Sequence, residues 1–373
     1  MNYIEFEILR KLLENKDINL EMISEELYIP VEIIKKEYEF LVNNNYIDNN
    51  NNIQKKGTDC IENHKVDNAI ILAAGMSTRF VPLSYEKPKG LLEVKGLPLI
   101  ERQILQLREK GIEEIIIVVG YMKDCFKYLV DKYNVILVET DEYKERNNHA
   151  SIYAAREYLK NSIITSSDLY FSKNIFQKYA YDSYYCTIYI DGKTDERGIL
   201  TDDQNKIIDT FYGERCKNIW VTLGYAYFSS FFSKKMIDIL EKEYNNPNTV
   251  DKFWADIQDE HLNELYMYSK RCDRNIIYEF DSLEELRLFD NDYLYNSNCR
   301  VMKEICRLIN TSENKIINIK TLKDKKYSLF SFENDNIEYI CNVDSNFDNE
   351  VVYNNKVYKY FKSNQDKDVN LYK

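Results

Sequence analysis

The region from Val66 to Asp168 alternates apolar segments with amphipathic ones, and this alternation constrains the fold more than any other feature of the chain. Four apolar segments are predicted to be buried strands: NAIILAA, EEIIIVVG, VILVET and SIITSSD. Three segments between them have helical spacing: PLIERQILQLREKG, MKDCFKYLVDKY and HASIYAAREYLKN. Strands that are apolar throughout and separated by helices predict an α/β fold with a mixed, mostly parallel sheet and helices on both faces.

Two further units flank this region. An N-terminal unit, residues 1–65, contains three predicted helices, two short strands and a final short helix, an order that resembles a winged helix-turn-helix domain. Antiparallel strands and helices continue the central domain to residue 293. A C-terminal unit, residues 294–373, begins with the helix VMKEICRLIN and continues as short strands. We therefore expect three domains, 1–65, 66–293 and 294–373, the last a small α+β appendage.

The charge of the chain limits its partners. It carries 50 basic and 62 acidic residues, a net charge of -12, which opposes broad binding to nucleic acid or membrane surfaces but permits a local cationic pocket. The N-terminal unit has 8 basic and 13 acidic residues. DNA binding by this unit is therefore not expected, and regulation or dimerisation, including a homodimer, remains open.

The cysteines and the hydropathy indicate a cytoplasmic protein. The 8 cysteines show neither a C-x-x-C motif nor a paired spacing, so we expect free thiols in a reducing compartment. No apolar run approaches the roughly 20 residues that a membrane span needs.

The stretch IILAAGMSTRFVPLSYEKPKGLLEV, residues 70–94, concentrates small residues and prolines between two cations. A strand that ends in small residues lets backbone amides cradle phosphate oxygens, and Gly75 permits a backbone angle that other residues resist. Arg79 can fork onto a phosphate, and Lys89 can supply a point charge. The spacing is neither the Walker pattern nor the dinucleotide pattern G-x-G-x-x-G. The stretch therefore predicts a different kind of triphosphate-binding loop.

The segment LAAGMSTRF…KPKGLLEVKGLPLIERQI resembles the signature of the nucleotidyltransferases, pyrophosphorylase-like enzymes that join a nucleoside triphosphate to a phosphorylated substrate. The segments GIEEIIIVVGYMKDCFKYL, NNHASIY and IITSSDLYFSKNIF resemble the LicC-like branch, the CTP:phosphocholine cytidylyltransferases. The resemblance covers about residues 66–293. It implies a Rossmann-like fold, Mg²⁺ as cofactor, CTP and a small phosphorylated amino-alcohol as substrates, and direct displacement that yields CDP-choline and pyrophosphate.

The resemblance also implies roles for individual residues. The catalytic lysine of the family falls on Lys89, with Arg79 beside the phosphates, and its two magnesium-binding aspartates fall on Asp168 and Asp281. The nucleotide-binding positions fall on Leu72, Ala73, Ala74, Gly75, Ser77, Arg79, Asn147, Asn148 and Ser151. Magnesium prefers hard oxygen ligands, so two aspartates at strand ends suit it. Taken alone, each aspartate is equally suited to cap a helix.

The acceptor site is less determined. A quaternary ammonium needs an aromatic cage with an acid nearby, and the branch has aromatic residues that match Trp254 and Tyr278, with Asp256 or Asp251 as the acid. Trp254 is equally suited to a core position. Where the branch has a second cage tryptophan, this chain has GKTDERGIL. Phosphoethanolamine and 2-aminoethylphosphonate therefore remain open as acceptors. A sugar 1-phosphate nucleotidyltransferase and a nucleotide-sensing regulator without catalysis remain open as alternative functions.

The segment KIINIKTLKDKKYSLFSFENDNIEYICNV, residues 315–343, resembles the first strands of bacterial choline-kinase-like domains. Residues 344–373 contain no histidine, so the catalytic H-x-D segment of that kinase family is not among them. If the unit is a truncated N-lobe of this kind, we expect it to be inactive, and packing or dimerisation is its default role.

Overall fold

The computed structural model describes residues 1–213, 216–322, 329–343 and 371–372. Its strands are β1 (Asn68–Ala73), β2 (Glu93–Val94), β3 (Leu97–Pro98), β4 (Glu114–Val119), β5 (Ile136–Glu139), β6 (Ser162–Ser166), β7 (Leu169–Phe171), β8 (Tyr184–Lys193), β9 (Gly198–Thr201), β10 (Ile207–Phe211), β11 (Lys217–Phe228), β12 (Tyr268–Cys272), β13 (Ile277–Glu279), β14 (Ile317–Thr321), β15 (Leu329–Asn334), β16 (Ile337–Asn342) and β17 (Leu371–Tyr372). Its helices are α1 (Tyr3–Glu14), α2 (Leu20–Leu27), α3 (Val31–Asn43), α4 (Lys55–Glu62), α5 (Leu99–Glu109), α6 (Tyr128–Tyr133), α7 (His149–Ala154), α8 (Ser230–Glu243), α9 (Trp254–Glu260), α10 (Leu283–Phe289), α11 (Asp292–Tyr295) and α12 (Arg300–Ile309). Within these ranges, no helix has both the length and the apolar character needed to cross a membrane.

One mixed sheet of nine strands is built around β1. β1 pairs in parallel with β4 on one side and with β6 on the other, and β5 continues the parallel order beyond β4. All six residues of β1 are buried, as expected for a strand that is covered on both faces. β11 joins β6 in antiparallel orientation and leads to β9 and β10 and, through β8, to β12. The predicted mixed sheet with a mostly parallel centre is confirmed.

Helices cover both faces of this sheet, as predicted. On one face, Ile104 of α5 packs in the same cluster as Ile71 of β1. On the other face, Ile70 of β1 packs with Ile152 of α7 and Met236 of α8. Successive strand residues point to opposite faces, so neighbouring isoleucines of one strand contribute to two different cores.

The N-terminal unit packs α1–α4 around an apolar centre that includes Phe6. Ile47 and Ile53 form a single antiparallel bridge. The prediction of two short strands here is therefore wrong. The asparagine-rich turn lies between Ile47 and Ile53, and only this one apolar pair forms a bridge, so no ladder of paired residues develops. The unit rests on the central sheet, where the ring of Tyr3 stacks on that of Tyr268 at 5.3 Å. The winged-helix assignment stays a prediction.

The C-terminal unit consists of α12 and the antiparallel sheet β14–β17. Its Phe330 belongs to the same buried cluster as Phe80 and Leu92, which lie in the loop after β1. The unit therefore packs directly on that loop. Part of the kinase-like stretch, residues 323–328, and residues 344–370 lie outside the described residues, so the kinase resemblance stays a prediction.

Candidate active site

The loop that follows β1 forms one wall of an open cleft at the carboxyl edge of the sheet. Ser77 has a φ of 51°, in the left-handed region, and the short 3-10 turn Thr78–Phe80 follows it. The expectation that Gly75 supplies the special backbone angle is wrong, because Ser77 adopts it instead. A Cβ at Gly75 would meet no heavy atom within 4 Å. Glycine at this position therefore leaves the cleft wall open to a ligand.

The cleft has a volume of about 370 Å³. The residues that the resemblance assigns to nucleotide binding all line it, together with Lys89 and Asp168: Leu72, Ala73, Ala74, Gly75, Ser77, Arg79, Asn147, Asn148 and Ser151. They meet because Leu72 of β1 pairs with Ser166 of β6, so the two strands end side by side. This is the edge at which α/β sheets bind ligands.

Lys89 is the buried cation of the cleft. Its side chain is 7% exposed, and its Nζ lies 2.8 Å from Oδ2 of Asp168 and 3.9 Å from Oδ1 of Asp281. Burial alone would lower the pKa of Lys89, but the charges of Asp168, Glu279 and Asp281 outweigh it and raise that pKa above its usual value. The ammonium group is therefore charged at neutral pH, with two carboxylates beside it.

Arg79 is the exposed counterpart of Lys89. Its side chain is 75% exposed, and its Nη2 lies 2.8 Å from Oδ1 of Asp281. An exposed arginine at the edge of a cleft can leave one carboxylate and fork onto a phosphate with little loss of packing. Both sequence-predicted cations and both aspartates thus form one charge cluster.

Neither aspartate caps a helix, which removes that alternative. Asp168 lies in the turn between β6 and β7, so a strand rather than a helix follows it. The residue after Asp281, Ser282, caps helix α10, because its side chain accepts a hydrogen bond from the Glu285 N–H. Asp168 lines the cleft, and Asp281 does not line it but lies beside it, paired with Arg79 and near Lys89.

Gln103 of α5 positions the turn that carries Asp168. Its Nε2 donates to the carbonyl oxygens of Ser166 and Leu169, at 2.9 Å each, on either side of that aspartate. Its Oε1 accepts from the Thr165 hydroxyl at 3.0 Å. Sequence reasoning missed this residue. The available signal was a glutamine placed among the apolar residues on one side of a predicted helix.

Gly90 is a second residue that sequence reasoning missed. A Cβ at this position would lie 2.7 Å from Oγ and 2.8 Å from Cβ of Ser167. Glycine therefore lets the loop close on the turn after β6, and this contact brings Lys89 against Asp168. The signal in the sequence was a glycine immediately after the lysine in KPKG.

Glu279 adds a third carboxylate to the cleft. Desolvation within the cleft and the charge of Asp168 raise the pKa of Glu279, although part of its side chain reaches solvent. Alternate residues of an extended chain share a side, so the motif EFD, which places Glu279 two residues before Asp281, was the available signal.

The composition of this cluster fits a magnesium ion. Asp168 and Asp281 both approach one ammonium group, and carboxylates outnumber the buried cation. Among the described residues, no three Asp, Glu, His or Cys side chains are grouped so that they could hold one ion together. The chain would therefore supply one or two carboxylates and leave the other positions to phosphate and water, as is typical of magnesium.

A second wall of the cleft is held by the segment after β5. Asn148 accepts a hydrogen bond from the Trp254 N–H at 2.9 Å, and Asn147 donates to the Asp251 carbonyl at 3.2 Å. His149 is buried, and its Nδ1 lies 2.6 Å from the Lys252 carbonyl. These bonds join the predicted base-binding segment to the start of α9.

Trp254 lies in the core and does not line the cleft. It is 3% exposed, stacks on Tyr185 at 4.9 Å between ring centres and meets Phe228 edge-on at 5.0 Å. Its neighbour Phe253 is 47% exposed and lines the cleft. The aromatic residue that this segment presents to a ligand is therefore Phe253, one position before the predicted one.

The other predicted acceptor residues also have partners in the protein. Asp256 accepts from the Phe253 N–H at 2.7 Å and thereby closes the first turn of α9. The ring of Tyr278 lies 4.5 Å from that of Phe289, in the cluster shared with the C-terminal unit. The structure therefore does not bring Trp254, Asp256 and Tyr278 together as a cage.

Arg197 occupies the segment in which the sequence lacks a second cage tryptophan. It is buried, and it donates to Asp259 at 3.0 Å from Nε and to Gln258 at 2.8 Å from Nη2. Its guanidinium lies 5.4 Å from the ring centre of Tyr185. An arginine thus anchors α9 from this position.

Comparisons with known proteins agree with this geometry. A model of the MobA-like NTP transferase domain matches residues 69–189. Choline-phosphate cytidylyltransferase of Streptococcus pneumoniae is 36% identical over 230 residues, which are 62% of this chain and 99% of that protein. 2-Aminoethylphosphonate cytidylyltransferase of Lancefieldella rimae is 37% identical over 237 residues, 62% of this chain and 96% of that protein. The solved structure of the S. pneumoniae CTP:phosphocholine cytidylyltransferase covers 60% of this chain and 98% of its own, with 36% identity and a TM-score of 0.58.

Proposed function

This chain is a nucleotidyltransferase with a MobA-like NTP transferase domain and belongs to the family of the LicC-like choline-phosphate cytidylyltransferases, and from that premise we propose that it converts CTP and phosphocholine into CDP-choline and pyrophosphate. The observation that carries this proposal is the cleft itself. A buried lysine, an exposed arginine and two carboxylates meet beside a loop of small residues at the carboxyl edge of the sheet.

In this mechanism a phosphate oxygen of the acceptor attacks the α-phosphorus of CTP. The bond from that phosphorus to the oxygen bridging to the β-phosphate breaks, and pyrophosphate leaves with the electron pair. Lys89 and Arg79 stabilise the negative charge that gathers on the phosphates, and this positional and electrostatic work accounts for most of catalysis in phosphoryl transfer. His149 is held by the Lys252 carbonyl and does not line the cleft, so we assign no covalent intermediate.

Asp168 and Asp281 would hold Mg²⁺, which when bound neutralises phosphate charge and orients the oxygens of the triphosphate. The protein side of this arrangement rests on Lys89, which keeps the two carboxylates within 4 Å of one ammonium group. Gln103 keeps the Asp168 turn in place through its two carbonyl contacts.

The acceptor is the second half of the proposal. Phosphocholine and 2-aminoethylphosphonate both combine an anionic phosphorus group with a cation, and Phe253 and Glu279, which line the cleft, would offer an aromatic ring and a carboxyl group to such a cation. The buried position of Trp254 and the anchoring of Arg197 leave less aromatic enclosure than a quaternary ammonium prefers. These two observations make 2-aminoethylphosphonate the second candidate.

Pyrophosphate release across a matrix of substrates tests the proposal. Each of CTP, UTP, ATP and GTP is combined with phosphocholine, phosphoethanolamine, 2-aminoethylphosphonate and glucose 1-phosphate. We expect the highest kcat/KM for CTP with phosphocholine. A preference for 2-aminoethylphosphonate would select the second candidate, and a preference for UTP with the sugar phosphate would overturn the assignment. Absence of turnover with every pair would favour a nucleotide-sensing regulator.

Variants test the mechanism. Lys89→Ala and Asp168→Ala should each lower kcat by at least about two orders of magnitude, the scale for loss of one preorganised electrostatic group. Lys87→Ala is the matched control, because this exposed lysine belongs to the same loop but does not line the cleft. Turnover near the wild-type value in the Lys89 or Asp168 variant would contradict the mechanism.

A further inference from the structure

Cys186 of β8 and Cys272 of β12 place their sulfur atoms 3.1 Å apart inside the protein. The two strands are parallel neighbours, in which Cys186 pairs with Lys270 and Cys272 pairs with Ile188. The two thiols therefore occupy diagonal positions on one face of the sheet. They stand 86 positions apart and follow no recognisable cysteine motif, so the sequence predicted only free thiols.

The two thiols differ in acidity. The hydrogen bond from the Cys186 thiol and the nearby charge of Lys270 together hold the pKa of Cys272 below its usual value. Burial raises the pKa of Cys186 well above its usual value. One partner is thus disposed to act as a thiolate and the other to stay a thiol, the division found between attacking and resolving cysteines.

Cys272 is also the partner that a small molecule can reach. It lines a second cavity of about 370 Å³, which lies between the N-terminal unit and β12, whereas Cys186 does not line it. Lys270 lines the same cavity, and its Nζ donates to the Ile175 carbonyl at 2.9 Å. Within the described part of the chain, no carboxylate forms an ion pair with Lys270, so its charge, when the amine is protonated, is not neutralised by a direct partner.

We propose that Cys186 and Cys272 form a dithiol–disulfide site that responds to hydrogen peroxide. The Cys272 thiolate attacks one peroxide oxygen, the O–O bond breaks, and the Cys272 sulfenic acid forms as hydroxide leaves and takes up a proton. The Cys186 sulfur then attacks the sulfenic sulfur, and water leaves with the thiol proton. In sum, two thiols and one hydrogen peroxide give one disulfide and two waters, and two external thiols reduce that disulfide again as they are oxidised to a disulfide of their own.

The new bond would fix the end of β12 to the neighbouring strand β8. β12 leads through a short turn into β13, which ends at Glu279 in the catalytic cleft. Formation of the disulfide does not depend on the proposed nucleotidyltransferase activity, because its readout is the covalent bond itself.

Peptide mapping of the full-length chain tests the proposal. The reduced protein is treated with graded hydrogen peroxide, its remaining thiols are blocked, and it is digested without reductant. We expect a linked pair of peptides containing Cys186 and Cys272, which separates on reduction and is absent from the Cys272→Ser variant. Free Cys186 and Cys272 at peroxide concentrations that oxidise the more exposed Cys125 would overturn the proposal.

Four variants make the test independent of folding defects. Cys341→Ser removes a buried thiol of the C-terminal sheet and should leave the 186–272 bond unchanged. Cys186→Ala removes the resolving partner, so the Cys272 sulfenic acid should be trapped by dimedone, and lack of an adduct would count against the proposal. Lys270→Met should slow oxidation roughly three- to tenfold, as expected for a pKa change of up to one unit. Lys173→Met, a cavity-lining control away from the strand pair, should not slow it.

Discussion

Glu86 lies in the loop between Arg79 and Lys89, and its carboxylate caps the first turn of α12 in the C-terminal unit. Oε1 accepts from the Val301 N–H at 2.8 Å, and Oε2 accepts from the Arg300 N–H at 3.0 Å. These bonds satisfy two N–H groups that the start of a helix leaves without partners, and the negative charge suits the positive end of the helix. Glu86 therefore ties the catalytic loop to the C-terminal unit.

Substitution of Glu86 should weaken this tie by a calculable amount. Loss of a helix cap costs about 0.5–2 kcal/mol, and loss of a favourable charge at the helix start costs about 0.3–1 kcal/mol. Glu86→Gln keeps one acceptor oxygen and loses the charge, whereas Glu86→Ala loses both. For a half-buried side chain, we expect the free energy of unfolding to fall by about 1 kcal/mol in the glutamine variant and about 2 kcal/mol in the alanine variant.

The same substitution should change nucleotide binding. A loop without its tie must be ordered again when CTP binds, and this ordering uses part of the binding free energy. If about 1 kcal/mol is used in this way, the KM for CTP rises about fivefold, since about 1.4 kcal/mol corresponds to tenfold. The kcat should change little, because Lys89 and Arg79 remain present.

Steady-state pyrophosphate release over a range of CTP concentrations gives the KM, and urea unfolding gives the free energy. Glu304→Gln is the matched control. It also removes one negative charge, but from α12 itself, at a surface pair with Arg307. It should match the wild type in both measurements. Wild-type KM and unfolding free energy in Glu86→Gln would refute the idea that this cap supports the loop.

Three further predictions concern single positions. Gly90→Ala forces a methyl group against Ser167, so it should cost about 1–3 kcal/mol of stability and lower turnover; unchanged thermal unfolding would contradict the close contact. Burial lowers the pKa of Lys270 to about 8, so the folded state binds the proton less tightly than the unfolded chain. Relative to Lys270→Met, the free energy of unfolding of the wild type should rise by about 1–3 kcal/mol as the pH rises from about 8 to 10.5. The same difference between wild type and variant at both pH values, measured by urea unfolding, would exclude this. Phe253→Ala should raise the acceptor KM several-fold with little change in stability, whereas Trp254→Phe should destabilise the fold and leave that KM unchanged; the reverse pattern would restore Trp254 to the acceptor site.

The central sheet and the nucleotide half of the cleft could be predicted because their signals are local. A strand such as β1 is apolar at every position, which requires cover on both faces, and Leu72 and Ser166 end adjacent strands at one edge. Any polar residue placed just after those ends, such as Asp168, must then face the same cleft. The same local argument does not say which loop residue adopts a positive φ, and Ser77 rather than Gly75 does so.

The sequence pointed to Trp254 for the acceptor half, whereas the structure buries Trp254 and places Phe253 in the cleft, for a geometric reason. α9 begins at Trp254, with Asp256 bonded to the preceding Phe253 N–H. Adjacent residues at a helix start point in directions roughly 100° apart, so a shift of one position exchanges the core residue for the exposed one. The sequence KFWAD does not reveal where that helix begins.

Phe80, Leu92 and Phe330 share one buried cluster, so the catalytic loop and the C-terminal unit pack together although the match to relatives does not include the whole chain. Relatives match 62% of this chain along nearly their whole length, which suggests that the catalytic segment could be excised by cutting near residue 293. Such a cut would strip the apolar cover from the loop that carries Arg79 and Lys89. The catalytic segment and the C-terminal strands should therefore melt as one cooperative block, and fragments prepared for crystallisation or engineering should keep them together.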